Sequence, residues 1–386
     1  MPRLLYIATI PITVAFVRGP YARHFRRLGW RVDGMATGIA ASEECRESFD
    51  QLFDVDWSRN PLDLRNLTSA ARTVRRVVED GNYDIVHVHT PVAGFATRFA
   101  LRNMKRNPRP AIIYGAHGFH FYPGGPVLKN AVFLGLEKLA GRWADYLMVV
   151  NRTDEDAARR YHIVPEDRIR YVPGSGIDLS RYRPDAVPES DVARIREELK
   201  LASGDSLLLM LAEFNHGKRH RDALEGFARS GCASSHLAFA GVGPTRTSIE
   251  RRSAELGLAN RVHFIGVRHD IPALIRASAA TVLPSEREGL PRSIIESMSL
   301  GVPVIGSDIR GIRDLLGDGC GYLVPVGGAD AVAEAIRRVI SQPAEARARA
   351  ASAQRRVAQY DIHNVLRLHE QFYAEILGGV SCTAAA

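Results

Sequence analysis

Several features that would assign a chain quickly are missing from these 386 residues. The four cysteines, Cys45, Cys232, Cys320 and Cys382, are scattered, with no Cys-x-x-Cys pair. That spacing argues against a disulfide framework or a thiolate zinc site and suits a reducing compartment. No stretch approaches the roughly 18 consecutive apolar residues that cross a bilayer. The run Leu4 to Val17 resembles a signal-peptide core, but Pro11 and two threonines interrupt it and no Ala-x-Ala site follows, so it predicts a first buried strand. No Gly-x-Gly-x-x-Gly follows that strand, which argues against a nicotinamide enzyme. Runs of five like charges and internal repeats are also absent, and only the Ala-rich segment 344–353 is compositionally biased.

What is present is ordinary in kind and uneven in placement. Hydrophobic residues make up 46% and charged residues 24%, as in a soluble globular protein, and the length predicts two domains. The net charge is +8, yet residues 1–173 hold 25 Lys and Arg against 18 Asp and Glu, while 174–386 hold 26 against 25. The first half is therefore the one expected to meet an anionic partner, nucleic acid or an acidic membrane surface. With no aromatic-rich RNA motif and no helix-turn-helix signature, nucleic acid is not expected.

Apolar runs of strand length alternate with helical periods throughout, which predicts parallel sheets with right-handed crossovers. In the first half these are a strand at 3–9, helix Val17–Leu28 stopped by Gly29, helix Asn66–Glu79, and strand Asp84–Thr90 entering a helix at Pro91. Strand 111–116, helix Val127–Gly141, a strand at Asp145–Asn151, a helix from Thr153 and a strand at Arg168–Val172 follow. Pro184 and Pro188 mark a linker. Beyond it come helix 190–199, strand Ser206–Ala212, helix Arg219–Arg229, strand His236–Ala240, helix Thr245–Leu256, strand Arg261–Gly266, helix Ile271–Ala277 and strand Thr281–Leu283. Two helices, Ala344–Gln359 and His363–Leu377, close the chain. His87 and His89 alternate on one strand and share a face; two histidines are too few for zinc, and packing or substrate contact is expected of them. Gly118 after His117 lets backbone approach a ligand. Gly241-Val242-Gly243 is a weak glycine signal that any turn explains. Asp54-Val55-Asp56 has the Asp-x-Asp form of a metal motif, which three residues reach easily by chance, so no metal is expected.

The chemistry concentrates in Pro284–Gly306, a strand exit, turn, short helix and second strand. Pro291 suits the first helical position and Gly301 the residue past the end. The resulting helix 291–300 presents free amides from Leu290 to Ser293, which attract an anion. Glu288 and Glu296 bracket that end, and carboxylates beside an anion site make sense if they bind sugar hydroxyls. Their bland alternatives are countering the helix dipole and lying solvated on the surface.

Glu-x7-Glu in the setting EGLPRSIIESMSLGVPVIGSD resembles the donor-binding signature of family-4 retaining glycosyltransferases of the GT-B fold. The lines IVHVHTPVAG, AHGFHFY and RNPL resemble the branch that assembles bacterial polysaccharides. The resemblance implies an α/β fold of two Rossmann-like doubly wound domains facing each other across a cleft. Residues 1–176 would form the acceptor side, 177–360 the nucleotide-sugar side, 361–378 a helix returning to the first domain, and 379–386 a disordered tail. It implies that Glu288 contacts the donor sugar, Glu296 the ribose, and His117 the region of the donor sugar. Lys218 matches the lysine that grips the diphosphate, with Arg219 beside it and Gly289, Leu290 and Pro291 lining the donor turn. His89, Thr90 and His120 fall on the acceptor side. Five residues before Lys218 the family commonly has an arginine, and this chain has Glu213, whose expected roles are to orient Lys218 or Arg219 or to bind a hydroxyl. Pro173-Gly174-Ser175-Gly176-Ile177-Asp178 resembles the family's interdomain hinge, which more often has Asn where this chain has Gly174, and puts the boundary near residue 176.

Together these imply transfer of a hexose or N-acetylhexosamine from a nucleotide diphosphate sugar, a UDP-sugar first, to a hydroxyl of a lipid-linked or oligosaccharide acceptor, with retention and without a metal. The expected place is the cytoplasm, peripheral at the inner face of an anionic membrane. An epimerase of the same build, or a non-catalytic polyanion-binding protein, are the alternatives.

Overall fold

A computed structural model describes residues 1–378 except 59, 61, 62, 106, 107 and 123, and does not describe the side chains of Phe16 and Val17. The expected tail 379–386 and most of the Arg59–Leu62 line lie outside the described residues. Packing divides the chain into two compact units, Met1–Ser175 with the segment from Asn364, and Gly176–His363.

In the first unit, β1 (Arg3–Ile7), β2 (Arg31–Ala36), β3 (Leu52–Asp54), β4 (Ile85–His89), β5 (Ala111–Ala116), β6 (Tyr146–Val149) and β7 (Ile169–Tyr171) form one sheet. Its order is β3-β2-β1-β4-β5-β6-β7, all parallel. In the second unit, β8 (Ser206–Leu211), β9 (Ser235–Ala240), β10 (Val262–Gly266), β11 (Ala280–Leu283), β12 (Val304–Ser307) and β13 (Tyr322–Val324) form a parallel sheet ordered β10-β9-β8-β11-β12-β13. The order of each sheet reverses once, between β1 and β4 and between β8 and β11. Crevices open outside the carboxyl ends of strands at such switch points.

The strands read as unbroken apolar runs because helices cover both faces of a parallel sheet. On β8, Leu208 and Met210 join a core with Phe239 and Val282, while Leu207 and Leu209 face a second core with Ala238 and Leu274. Helix Ala329–Ser341 lies close against helix His220–Ser230, and a Cβ at Gly226 would stand 2.6 Å from Val332 Cγ1. The final helix, Ile362–Ile376, packs into the first unit through Tyr373, whose hydroxyl bonds that of Tyr6 at 3.1 Å, through a hydrogen bond between His24 and Glu370, and through the ion pair Arg170–Glu375.

Several boundaries differ from expectation for local reasons. Thr13–Arg18 forms a π-helical turn ahead of helix Gly19–Arg27. Helix Arg152–Arg160 is capped by Asn151, whose side chain accepts from Asp154 N–H, so Thr153 lies inside it. Pro291 is extended (φ −74°, ψ 122°) and precedes helix Arg292–Ser299, whereas Gly301 takes the left-handed turn (φ +68°) past its end. Short elements without strong periodicity went unread, among them Glu43–Ser48, β3, Ile312–Leu316 and β13, as did the longer helix Ala329–Ser341. At the boundary Gly174 and Gly176 are left-handed (φ +70° and +68°), a conformation that asparagine tolerates better than most residues.

Candidate functional site

In the second unit the β8 and β11 exits meet at their switch point. Phe214 is buried against His220, ring centroids 4.1 Å apart, and the chain then turns through His216–Lys218, where Asn215 Oδ1 accepts from Lys218 N–H at 3.1 Å. Gly241 and Gly243 lie against this exit: a Cβ on either would fall 2.1 Å from Ala212 O or 2.4 Å from Phe214 O. The glycines flagged in the sequence therefore permit backbone packing. The loop after β11 is pinned by Glu286 N–H donating to Gly217 O at 2.9 Å and by Ser307 Oγ donating to Ser285 O. Gly311 (φ +71°) makes room for it, since a Cβ there would lie 1.9 Å from Gly289 O. Helix Arg292–Ser299 is tied to β11 by a bond between the Thr281 and Ser297 hydroxyls at 2.9 Å.

These constraints bring Lys218 and Glu288 together: the ammonium donates to Glu288 Oε1 at 2.7 Å, both side chains only partly exposed. Glu296 is buried, bonded by the Tyr182 hydroxyl and 3.9 Å from Arg292. Burial raises its carboxyl above the usual range, and Arg292 opposes that shift. Gly289 and Leu290 are half-buried in the turn, and Pro291 is buried.

Two expectations change here. Glu213 touches neither neighbouring cation. It is exposed and accepts from Asn215 Nδ2 at 3.2 Å, because the buried ring of Phe214 sets the facing of the exit and Lys218 reaches across to Glu288. Arg219, at φ +57°, is held by Asp222 at 2.6 and 3.1 Å rather than by Glu213.

In the first unit the β1/β4 switch point is bridged by the hydroxyls of Thr9 and Thr90, 2.6 Å apart. Thr90 has φ +68°, a costly conformation for a β-branched residue and one that collects at functional sites. His87 and His89 do share a face, with ring centroids 4.2 Å apart and both fully buried. Gly115 makes the space, since a Cβ there would come within 2.5 Å of His89 Nδ1. His89 is thus no surface contact for an acceptor. Its Nδ1 lies 3.2 Å from His117 Nε2 and supports that ring from beneath. His120 is half-buried, its ring centroid 5.1 Å from that of Phe133.

Arg18 was not found from the sequence. It is 2% exposed, donates from Nη2 to His117 Nε2 at 3.1 Å, and lies against the rings of Tyr21 and Tyr6 at 4.7 and 5.9 Å. Its Nε and Nη1 have no hydrogen-bond partner among the described residues. A guanidinium only donates, so His117 Nε2 must accept, and the neutral ring carries its proton on Nδ1. Burial first, then Arg18, pushes His117 down to about 3. Nothing in an arginine-rich stretch marks one guanidinium as the buried one.

Asp54 ends β3, and Asp56 is exposed and paired with Arg65 at 3.2 Å. Among the described residues no three His, Cys, Asp or Glu side chains converge as a metal site would require.

Residues 191–357 match the family described as Glycosyl transferases group 1, and residues 21–181 match Glycosyltransferase Family 4. The chain is 31% identical over 345 residues to "Putative glycosyltransferase EpsD" of Bacillus subtilis, covering 88% of each. It is 26% identical over 283 residues to the UDP-Gal:alpha-D-GlcNAc-diphosphoundecaprenol alpha-1,3-galactosyltransferase of Escherichia coli, covering 72% of this chain and 70% of that one. Among solved structures, Anabaena HepE in complex with UDP and glucose superposes with a TM-score of 0.79 at 19% identity, over 98% of this chain and 100% of that one. At that identity the likeness speaks for the fold.

Proposed function

Because the chain belongs to the family-4 glycosyltransferases of the GT-B fold, we propose that it moves a hexose or N-acetylhexosamine from a UDP-sugar to a hydroxyl of a lipid-linked saccharide. It does so with retention of configuration, without a metal, at the cytoplasmic face of a membrane. The observation that carries the reading is the Lys218–Glu288 pair at the β8/β11 switch point. A diphosphate leaving group gains negative charge as the glycosidic bond breaks, and the Lys218 ammonium, exchanging Glu288 for the diphosphate, stabilises that charge. Glu288, released from Lys218 by the diphosphate, accepts from sugar hydroxyls. Glu296, kept buried, suits the paired hydroxyls of a ribose. In the first unit His117 offers an Nδ1–H donor from a neutral ring.

The acceptor class is supported by the diphosphoundecaprenol-linked sugar that the Escherichia coli relative is named for, and retention by family membership. No helix among the described residues is long and apolar enough to cross a membrane, so attachment would be peripheral. Mass-spectrometric screening of nucleotide sugars against lipid-linked acceptors tests the reading. Sugar transfer that requires both substrates is expected, and donor turnover without acceptor would point to an epimerase. Activity is expected to survive exhaustive chelation; loss on EDTA with rescue by Mg²⁺ or Mn²⁺ would return Asp54 and Asp56 to consideration.

A further inference from the structure

Glu296 owes its setting to a segment outside its own helix. Residues 177–183 are pinned at Ile177, whose N–H donates to Tyr360 O and whose carbonyl accepts from Ile362 N–H, both at 2.9 Å. Two turns follow. Asp178 O accepts from Arg181 N–H and Leu179 O from Tyr182 N–H, both at 3.2 Å, while Asp178 Oδ1 accepts from Ser180 N–H at 3.1 Å. They set Leu179 and Tyr182 against the second unit's cores. Ser299, the last residue of the helix that carries Glu296, donates from Oγ to Tyr182 O at 2.8 Å. The phenol is thereby held beside the helix, and its hydroxyl donates to the Glu296 carboxylate. Burial, and then that carboxylate, raise the Tyr182 phenol above its ordinary range, so it keeps its proton and remains a donor.

A carboxylate only 9% exposed is costly to keep charged unless something favours that form. Among the described residues the titratable and charged groups facing it are Tyr182, Arg292 and the exposed Arg181. Arg292 stands 3.9 Å away and donates instead to Gly176 O at 3.3 Å, so Tyr182 is the group that makes the hydrogen bond. A carboxylate offers about four lone-pair sites; the phenol takes one and leaves the rest to a ligand. We propose that Tyr182 is a positioning residue: by holding the Glu296 carboxylate in one orientation it sets the preference of the donor site for a ribonucleotide over a 2′-deoxyribonucleotide. The inference rests on the proposed function, in which Glu296 takes the ribose. A carboxylate aimed by a fixed donor meets the 2′-hydroxyl without reorganising, and an analogue lacking that hydroxyl leaves a buried acceptor unpaired. Without the phenol hydroxyl Glu296 is free to turn toward Arg292 and takes up a proton more readily, and both weaken the contact.

Calorimetric titration of the full chain with UDP and with 2′-deoxyUDP tests this, since neither needs an acceptor or a known sugar. The wild type should bind UDP about tenfold tighter or more. Tyr182→Phe keeps the ring in the core and should cut that ratio to about threefold or less. It should do so by weakening UDP while leaving 2′-deoxyUDP nearly unchanged, with unaltered circular dichroism. Its UDP affinity should also fall more steeply than the wild type's from pH 8 to pH 5, because a buried carboxylate that has lost its donor protonates at higher pH. The titration of UDP itself is common to both proteins. Ser299→Ala keeps the phenol and removes its anchor; it should shift the ratio the same way by less, and it decides the matter if Tyr182→Phe does not fold. A variant with the wild-type ratio, or with both diphosphates weakened equally, overturns the proposal. A wild type that binds both equally, or neither, would instead sink the ribose reading of Glu296 itself.

Discussion

At the β1/β4 switch the first unit gathers Arg18, His87, His89 and His117, all neutral but one, with no carboxylate bonded to them among the described residues. At the β8/β11 switch the second unit sets Lys218 against Glu288 and keeps Glu296 buried. One topology thus holds two electrostatic arrangements. A paired cation and anion can stay half-exposed and ready for exchange with substrate. A buried cation without a counter-charge is tolerated only while the histidines around it remain neutral. The second arrangement should therefore answer to mutation of its charges, and the first should also answer to pH.

The largest effect is expected in the second unit. Glu288→Gln should lower kcat more than tenfold, a barrier change above about 1.4 kcal/mol, with the fold intact. Lys218→Ala should lower kcat more than it weakens donor binding, because its contact strengthens as the diphosphate departs. Steady-state kinetics decide this, and a variant of Glu288 retaining more than a tenth of wild-type kcat would remove the carboxylate from the reaction.

In the first unit, Arg18→Met should cost roughly tenfold in kcat while the melting temperature holds or rises, because the substitution removes a buried cation with two unpartnered nitrogens. A large fall in melting temperature would show that Arg18 serves packing and not His117.

The pH contrast comes next. Burial lowers His87 and His89 well below the usual histidine range and takes His369 and His117 to about 3, against about 6.5 in the unfolded chain. Between those values the unfolded state holds more protons, so this stability is complete above pH 6.5 and drains as pH falls toward 3, by at most about 1.4 kcal/mol per pH unit for each histidine. Trp30, Trp57 and Trp143 all lie in the first unit, so tryptophan fluorescence reports on it alone. Its urea midpoint should drop from pH 7 to pH 5, and less so in His369→Leu. An unchanged midpoint would refute the neutral-cluster account.

The smallest effect should come from Glu213→Arg. Since among the described residues Glu213 bonds only Asn215 and touches neither Lys218 nor Arg219, activity should stay within about threefold of wild type. A tenfold change in either direction would mean that this side chain meets the substrate directly.

Much of the second unit's site was legible because its residues share one continuous loop and helix. Glu288, Gly289, Leu290, Pro291 and Glu296 lie within nine residues, and local turn chemistry places them. Even so, Pro291 fell outside the helix because its ψ of 122° is extended, which no residue preference fixes. The first unit's site was legible only in part. His89 and His117 were visible as histidines, but not that one is buried beneath the other, since that depends on Gly115 of a neighbouring strand withholding a Cβ.

The alternation of strands and helices was legible in the residue order, because periodicity, glycine and proline act over a few residues, while Lys218 and the boundary near residue 176 were marked only by the resemblance to a family. Packing between distant segments settled which carboxylate Lys218 meets and which arginine is buried. Each of these depends on strand order and on packing between segments distant in the chain: Lys218 and Glu288 are 70 residues apart and Arg18 and His117 are 99 apart. No local preference specifies a contact at that range.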